Sequence, residues 1–194
     1  MTKIIGLTGG IGSGKTTIAN HLKSLGIPVY NSDEQAKKVL YLPETIKSLK
    51  ATFGNGIFTD DILDKDKLSN RVFNNPGDLK LLNEIIHPAV KTDFNKWLLV
   101  NKNSPLVIKE AAILFESGSY KDCDAIITIV APIEERIQRV VERDHTNSEA
   151  VLIRINNQWT DEMRMDKSDY VIENKDIIKA CAQTEKILEN ILNQ

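Results

Sequence analysis

Gly9-Gly10-Ile11-Gly12-Ser13-Gly14-Lys15-Thr16 fits the pattern G-x-x-x-x-G-K-[ST]. Each residue type in it suits phosphate. Glycines permit tight, positive-φ backbone, so successive N–H groups can aim into one anion-sized hollow. A helix starting near Lys15 adds the positive end of its dipole. The Lys15 ammonium reaches the β- and γ-phosphates, the Thr16 hydroxyl is placed to ligate Mg²⁺, and Thr17 follows as an α-phosphate contact. Gly10, Gly12, Ser13, Gly14, Lys15, Thr16 and Thr17 are therefore candidate nucleotide-binding residues, with ATP and Mg²⁺ as cofactors and Thr16 as the metal ligand.

The loop specifies a nucleotide, not a reaction. A GTPase should carry D-x-x-G and N-K-x-D. No Asp stands three residues before any of the ten glycines, and Asn174-Lys175-Asp176 lacks the spacer residue. Large ATPase modules need more chain than this. A small kinase fits size and layout best. It needs an acceptor hydroxyl held in line with the γ-phosphate and a group to take or orient its proton. Asp33, just after a second apolar run, is the candidate; position alone leaves it equally a helix cap. Arg136, Arg139 and Arg143 are spaced three and four apart and share a helix face, with Arg154 and Arg164 further on. They read as lid arginines over ATP or as a solvated face paired with Glu135 and Glu142. Glu110 and Glu116 read as a water-mediated metal shell or as partners of lysines. His21, His87 and His145 do not form a metal site by spacing, and Trp97 and Trp159 read as packing residues.

The elements that must position these residues alternate. Lys3 to Thr8 is a short buried strand running into the glycines. Ile18, Leu22 and Leu25 continue as a helix stopped by Gly26. Ile27 to Tyr30 is a second strand, and a helix follows from Glu34. The stretch from about Pro43 to Asn103 is mostly helical with no clear strand, punctuated by turns at Asn55-Gly56 and Pro76-Gly77. Strands recur at Leu106 to Ile108 and Ala125 to Val130. Pro132 opens a charged helix, two short helices follow, and Tyr170 to Ile172 precedes a last helix from Ile177 to Leu192. Such alternation predicts an α/β fold.

Composition bounds the rest. The chain has 194 residues, 25 Lys plus Arg, 27 Asp plus Glu and a net charge of −2. That excludes a globally basic nucleic-acid binder. Cys123 and Cys181 exclude a disulfide framework or a four-cysteine zinc site. The longest apolar stretch, Ala125 to Ile133, is far short of the ~20 residues that span a bilayer. No signal-peptide pattern opens the chain. A cytoplasmic protein is expected, with no nucleic-acid or membrane partner and a monomeric state.

Over nearly its whole length the chain resembles the dephospho-coenzyme A kinase family. The opening Thr8-Gly9-Gly10-Ile11-Gly12-Ser13-Gly14-Lys15 is similar to that family's start. Asn83-Glu84-Ile85-Ile86-His87-Pro88 resembles its L-x-x-I-x-H-P segment, and Glu110-Ala111-Ala112-Ile113-Leu114-Phe115-Glu116 its D-x-P-L-L-F-E. Arg139 and Arg143-Asp144 resemble its lid. Arg154 to Gln158 resembles its R-x-x-x-Q, and Asp169 to Asn174 its A-D-Y-V-I-x-N. The resemblance implies a single domain, 1–194, with the three-layer phosphate-loop fold. A helical acceptor-binding region would span about 35–103 and a lid about 132–165. It implies Asp33 as the base for a ribose hydroxyl, His87 on the acceptor side, Arg139 and Arg143 over ATP, and Asn174 near adenine. The substrate would be dephospho-coenzyme A, phosphorylated on its ribose 3′-hydroxyl. Departures are Glu110 for Asp, Ala112 for Pro, and Asp61 and Lys65 where Gly and Arg are usual. The runner-up is another small-molecule or nucleoside monophosphate kinase on the same core.

Overall fold

The computed structural model describes residues 2–73 and 75–193; Met1, Asn74 and Gln194, which fall inside the 1–194 and 35–103 ranges above, lie outside it. The chain forms two compact units, Met1–Asn31 with Val100–Gln194, and Ser32–Leu99.

The first unit is built on β1 (Lys3–Thr8), followed by α1 (Lys15–Ser24) and β2 (Val29–Asn31). The second unit holds α2 (Ser32–Val39), α3 (Pro43–Phe53), β3 (Phe58–Thr59), β4 (Ile62–Leu63), α4 (Lys65–Phe73) and α5 (Pro76–Val100). The chain then returns to the first unit with β5 (Leu106–Glu110), β6 (Ala125–Val130), α6 (Ile133–Asp144), α7 (Ser148–Asn156), α8 (Asp161–Met165), β7 (Tyr170–Glu173) and α9 (Ile177–Leu192).

Five strands form one parallel sheet in the order β2-β5-β1-β6-β7. Alternate strand residues face one layer of helices. Ile5 and Leu7 of β1, Ile108 of β5, Ile127 and Ile129 of β6 and Ile172 of β7 pack with Ile18 and Leu22 of α1 and Leu188 and Ile191 of α9. Each such side chain, buried fully, contributes about 1.5–3 kcal/mol. On the other face, Ile126 packs with Ala111, Leu114, Phe115 and Trp159. The expected α/β three-layer fold is therefore present, with β5 extending to Glu110. Because every strand runs the same way, Thr8, Asn31, Glu110, Val130 and Glu173 end at one sheet edge, where open α/β sheets collect ligands.

The second unit has its own core, formed by Leu49, Phe53, Ile57, Phe58, Leu63, Leu68 and Val72. It corrects two readings of the sequence. A strand pair does occur there: β3 and β4 form an antiparallel hairpin with Phe58 opposite Leu63. Its turn is Asp60-Asp61, at φ 50° and 61°. Both central residues at positive φ are what a type I′ turn requires, and aspartate tolerates that region better than most residues. The pair Pro76-Gly77 is not a turn but the first turn of α5, with Asn75 Oδ1 accepting from the Gly77 and Asp78 backbone N–H groups at 3.0 and 3.3 Å. Proline suits a helix's first position because its missing N–H has no partner there anyway. Asn55-Gly56 opens a single 3₁₀ turn, Asn55–Ile57. α5 runs on through Pro88.

Candidate active site

The glycine loop connects β1 to α1, as the pattern predicts. Its turn is closed by Ser13 N–H donating to Gly10 O at 3.1 Å. Gly14 caps α1 at φ 94°, in the region where a side chain costs roughly 1–2 kcal/mol. A Cβ on Gly14 would also lie 2.1 Å from Asn174 Nδ2.

Three successive loop carbonyls are held by side chains. Arg136 Nε donates to Ile11 O at 2.9 Å. Arg139 Nη1 donates to Gly12 O at 3.4 Å, and Asn174 Nδ2 to Ser13 O at 2.7 Å. The Ile11 N–H in turn donates to Gln158 Oε1 at 2.9 Å. The loop shape is thus fixed by residues 125 to 161 positions away in sequence.

At the sheet edge, the Thr16 hydroxyl donates to Glu110 Oε1 at 2.6 Å. Glu110 Oε2 accepts from Asn31 Nδ2 at 2.9 Å. Glu110 is buried, and the register sets Leu7 and Asn31 on either side of it. The Glu110 side chain therefore places its carboxylate on Thr16. Thr16 and Glu110 together offer hard oxygen donors at the end of the loop, a donor type that suits Mg²⁺.

The sequence-derived candidates separate as follows. Ser13 and Asn174 are buried against the loop, while Thr17 is exposed. Lys15 and Thr16 open α1. Asn174 holds a loop carbonyl. Arg139 spreads over Glu135 Oε2 at 2.7 Å, Gly12 O and Asn174 O. Arg143 is exposed and pairs with Asp144 at 2.7 Å, which also pairs with Arg154 at 2.9 Å. Those hydrogen bonds, led by that from Arg143, hold the Asp144 carboxyl down at about 2. Arg136 does not lie on a solvated face: it is buried behind the loop. Glu116 is not paired with lysine. Its Oε1 accepts from the Trp159 N–H at 3.0 Å and from Arg164 at 3.4 Å. Trp159 stacks on Phe115, centroids 5.6 Å apart, as a packing residue should. In the second unit, Asp33 is the second residue of α2 and His87 lies half-buried on α5. Burial pushes the His87 imidazole below its usual value.

Two residues, Asn31 and Gln158, escaped the sequence reading as site components, and Arg136 was read there only as a lid arginine or part of a solvated face, not as a support of the loop. Asn31 falls there outside the second strand, Ile27 to Tyr30, whereas the structure ends β2 on it. Gln158 appears only inside a longer motif. Arg136 shares a helical spacing with Arg139 and Arg143, and spacing does not reveal which side of the helix is inside.

Sheet order and loop together define a phosphate-loop fold, a class of nucleotide-binding proteins. Comparison with known proteins narrows the class. The family model described as dephospho-CoA kinase matches residues 3–180. A dephospho-CoA kinase of Fusobacterium nucleatum is 40% identical over 172 residues, covering 88% of this chain and 89% of its own length. One from Bacteroides fragilis is 38% identical over 171 residues, covering 88% and 83%. A crystal structure from Thermus thermophilus superposes with a TM-score of 0.89 at 32% identity over 98% of both chains. A dephospho-CoA kinase from Campylobacter jejuni gives a TM-score of 0.69 at 26% identity, over 100% of this chain and 98% of its own. The chain belongs to the dephospho-CoA kinase family, the EC 2.7.1.24 enzymes that phosphorylate dephospho-CoA in the last step of CoA biosynthesis. Shikimate kinase from Acinetobacter baumannii, at 20% identity and a TM-score of 0.57 over 100% and 94%, shares the fold. No helix among the described residues is long and apolar enough to cross a membrane.

Proposed function

We propose that this chain transfers the γ-phosphoryl group of ATP to the ribose 3′-hydroxyl of dephospho-CoA, with Asp33 as base and Thr16 as metal ligand. The observation that carries the reading is the contact between Thr16 and Glu110 at the end of the phosphate loop. Oxygen donors stand there at the edge where the sheet's strands end.

The loop amides and Lys15 bind the ATP phosphates, with Gly10, Gly12, Ser13, Gly14 and Thr17 shaping the cradle. Thr16 and Glu110 would hold Mg²⁺, which would supply neutralisation of phosphate charge. Asp33 orients the 3′-hydroxyl and takes its proton. As the new P–O bond forms, the bond between the γ-phosphorus and the β,γ-bridging oxygen breaks, and ADP leaves with that electron pair. Arg139 and Arg143, in a lid spanning about 132–165, follow the charge on the transferring group. Asn174 supports the adenine end, and His87, within the helical acceptor region of about 35–103, contacts the CoA precursor. The reading takes the protein to work as a monomer in the cytoplasm.

The test is incubation with Mg²⁺-ATP and dephospho-CoA beside a panel of nucleoside monophosphates, followed by mass spectrometry. CoA formed only from its precursor is the expected result; turnover of a monophosphate instead would overturn the acceptor assignment. Asp33→Asn should keep ATP affinity and lose about 100-fold or more in kcat. Near-normal turnover would remove Asp33 from its role. Lys15→Ala should instead weaken ATP binding.

A further inference from the structure

The Ile11 carbonyl is held from behind the loop. Arg136 Nε donates to it at 2.9 Å, while Nη1 of the same guanidinium donates to Asp161 Oδ2 at 2.9 Å. Asp161 is shared, because its Oδ1 accepts from Arg164 Nη1 at 3.3 Å. Arg164 is completely buried and also reaches Glu116 Oε1 at 3.4 Å. Four charges of alternating sign thus run from the loop into the core: Arg136, Asp161, Arg164, Glu116. Arg136 and Gly10 are fitted to one another, since a Cβ on Gly10 would lie 2.1 Å from Arg136 Nη2. Arg136 also presses its own backbone on Gly12, where a Cβ would lie 2.4 Å from the Arg136 carbonyl oxygen.

A trans peptide is planar, so a residue's carbonyl and the next residue's N–H point to opposite sides. Turning the Ile11 carbonyl back onto Arg136 therefore turns the Gly12 N–H the other way. The guanidinium can do this reproducibly only if it cannot rotate. A planar fork bonded to two partners is fixed, whereas an ammonium on a flexible stem is not.

We propose that Arg136 is a positioning residue for the kinase reaction: through the Ile11 carbonyl it aims the Gly12 N–H at the nucleotide phosphates, and Asp161, Arg164 and Glu116 hold its guanidinium in place. The inference rests on the reading of this loop as the ATP site. It gives Asp161 an effect on ATP at second hand, because loss of one partner in a buried ionic chain leaves the next charge uncompensated.

Arg136→Lys keeps the charge but cannot serve Ile11 and Asp161 together. Its KM for ATP, and the Kd of a non-hydrolysable ATP analogue, should rise roughly tenfold, with the KM for dephospho-CoA within about twofold of wild type. Asp161→Asn should raise the same two ATP constants roughly threefold. The double variant should be no worse than Arg136→Lys, because both changes act through one contact. Equal rises in both KM values, or an unchanged ATP analogue Kd in a cooperatively melting Arg136→Lys protein, would overturn the proposal. If Arg136→Lys does not fold, Asp161→Asn decides by the same criteria. Failure of the wild-type protein to bind the analogue would instead overturn the ATP reading itself.

Discussion

The Thr16 hydroxyl and the Glu110 carboxylate share a hydrogen bond of 2.6 Å, joining the end of the phosphate-binding motif to the end of β5. The other Glu110 oxygen is taken by Asn31. One buried carboxylate therefore ties together the ends of two neighbouring strands and the first turn of α1. Glu110→Gln keeps the volume and one acceptor oxygen but removes the charge. The Mg²⁺ concentration for half-maximal rate should rise about tenfold, with the KM for ATP at saturating Mg²⁺ within about twofold. A Mg²⁺ titration of the two proteins checks this; superimposable curves would take Glu110 out of the metal environment.

Gly14 and Asn174 are coupled by space. Gly14→Ala introduces a positive-φ penalty, a clash with Asn174 Nδ2 and strain on the bond to Ser13 O. The sum should be about 2–3 kcal/mol of unfolding free energy. Adding Asn174→Gly should return the clash component, roughly 1 kcal/mol, and leave the backbone penalty. Urea denaturation of the four proteins in the cycle measures the coupling, and strict additivity would deny it.

Acid should act in two windows. Burial lowers the His87 pKa below 6.5, so between 6.5 and that lower value the unfolded chain binds more protons than the folded one. Stability rises with pH there, and is lost as pH falls below 6.5. The melting temperature should be lower at about pH 5.5 than at about pH 7.5, and His87→Gln should reduce the difference. Asp144 behaves as a depressed carboxylate. Its contribution is complete above the ordinary value of 3.8 and disappears as pH falls through about 2. Being exposed, it gives a small, salt-sensitive effect. A His87→Gln protein with the wild-type slope between the two higher pH values would refute the assignment.

Neither cysteine should react readily in the native state. Burial pushes the Cys123 thiol up to about 12, and burial followed by Glu185 raises Cys181. Iodoacetamide at about pH 8 should label both only after unfolding in guanidinium. Stoichiometric labelling of the folded protein within minutes would contradict this.

The sheet and the loop were legible because their signals are local: a short apolar run, a glycine cluster, then a 3.6-residue period. The hairpin at Phe58 to Leu63 was not, because its turn is Asp60-Asp61 rather than a glycine pair, and its strands are two residues each. Pro76-Gly77 carries the same letters whether it ends a segment or begins a helix; Asn75, capping from one residue upstream, decides it. The motif itself was plain, but what holds its shape was not. Arg136, Gln158 and Asn174 reach the loop from the far end of the chain, and no spacing rule connects residue 11 with residue 158. Asp161 drew no attention because a charge beside a short helix ordinarily faces water.

The sheet order also dictates a timetable. β1 takes its neighbours from β5 and β6, and β2 takes its neighbour from β5. No ladder of the sheet can close until Leu106–Glu110 has been made. At ribosomal rates of roughly 5–20 residues per second, the first strand waits several seconds for a partner. Meanwhile Ser32–Leu99 is already complete and has its own apolar core. On the nascent chain the helical unit has what it needs to fold first, and the sheet's first ladder, between β1 and β5 across about a hundred residues, comes late.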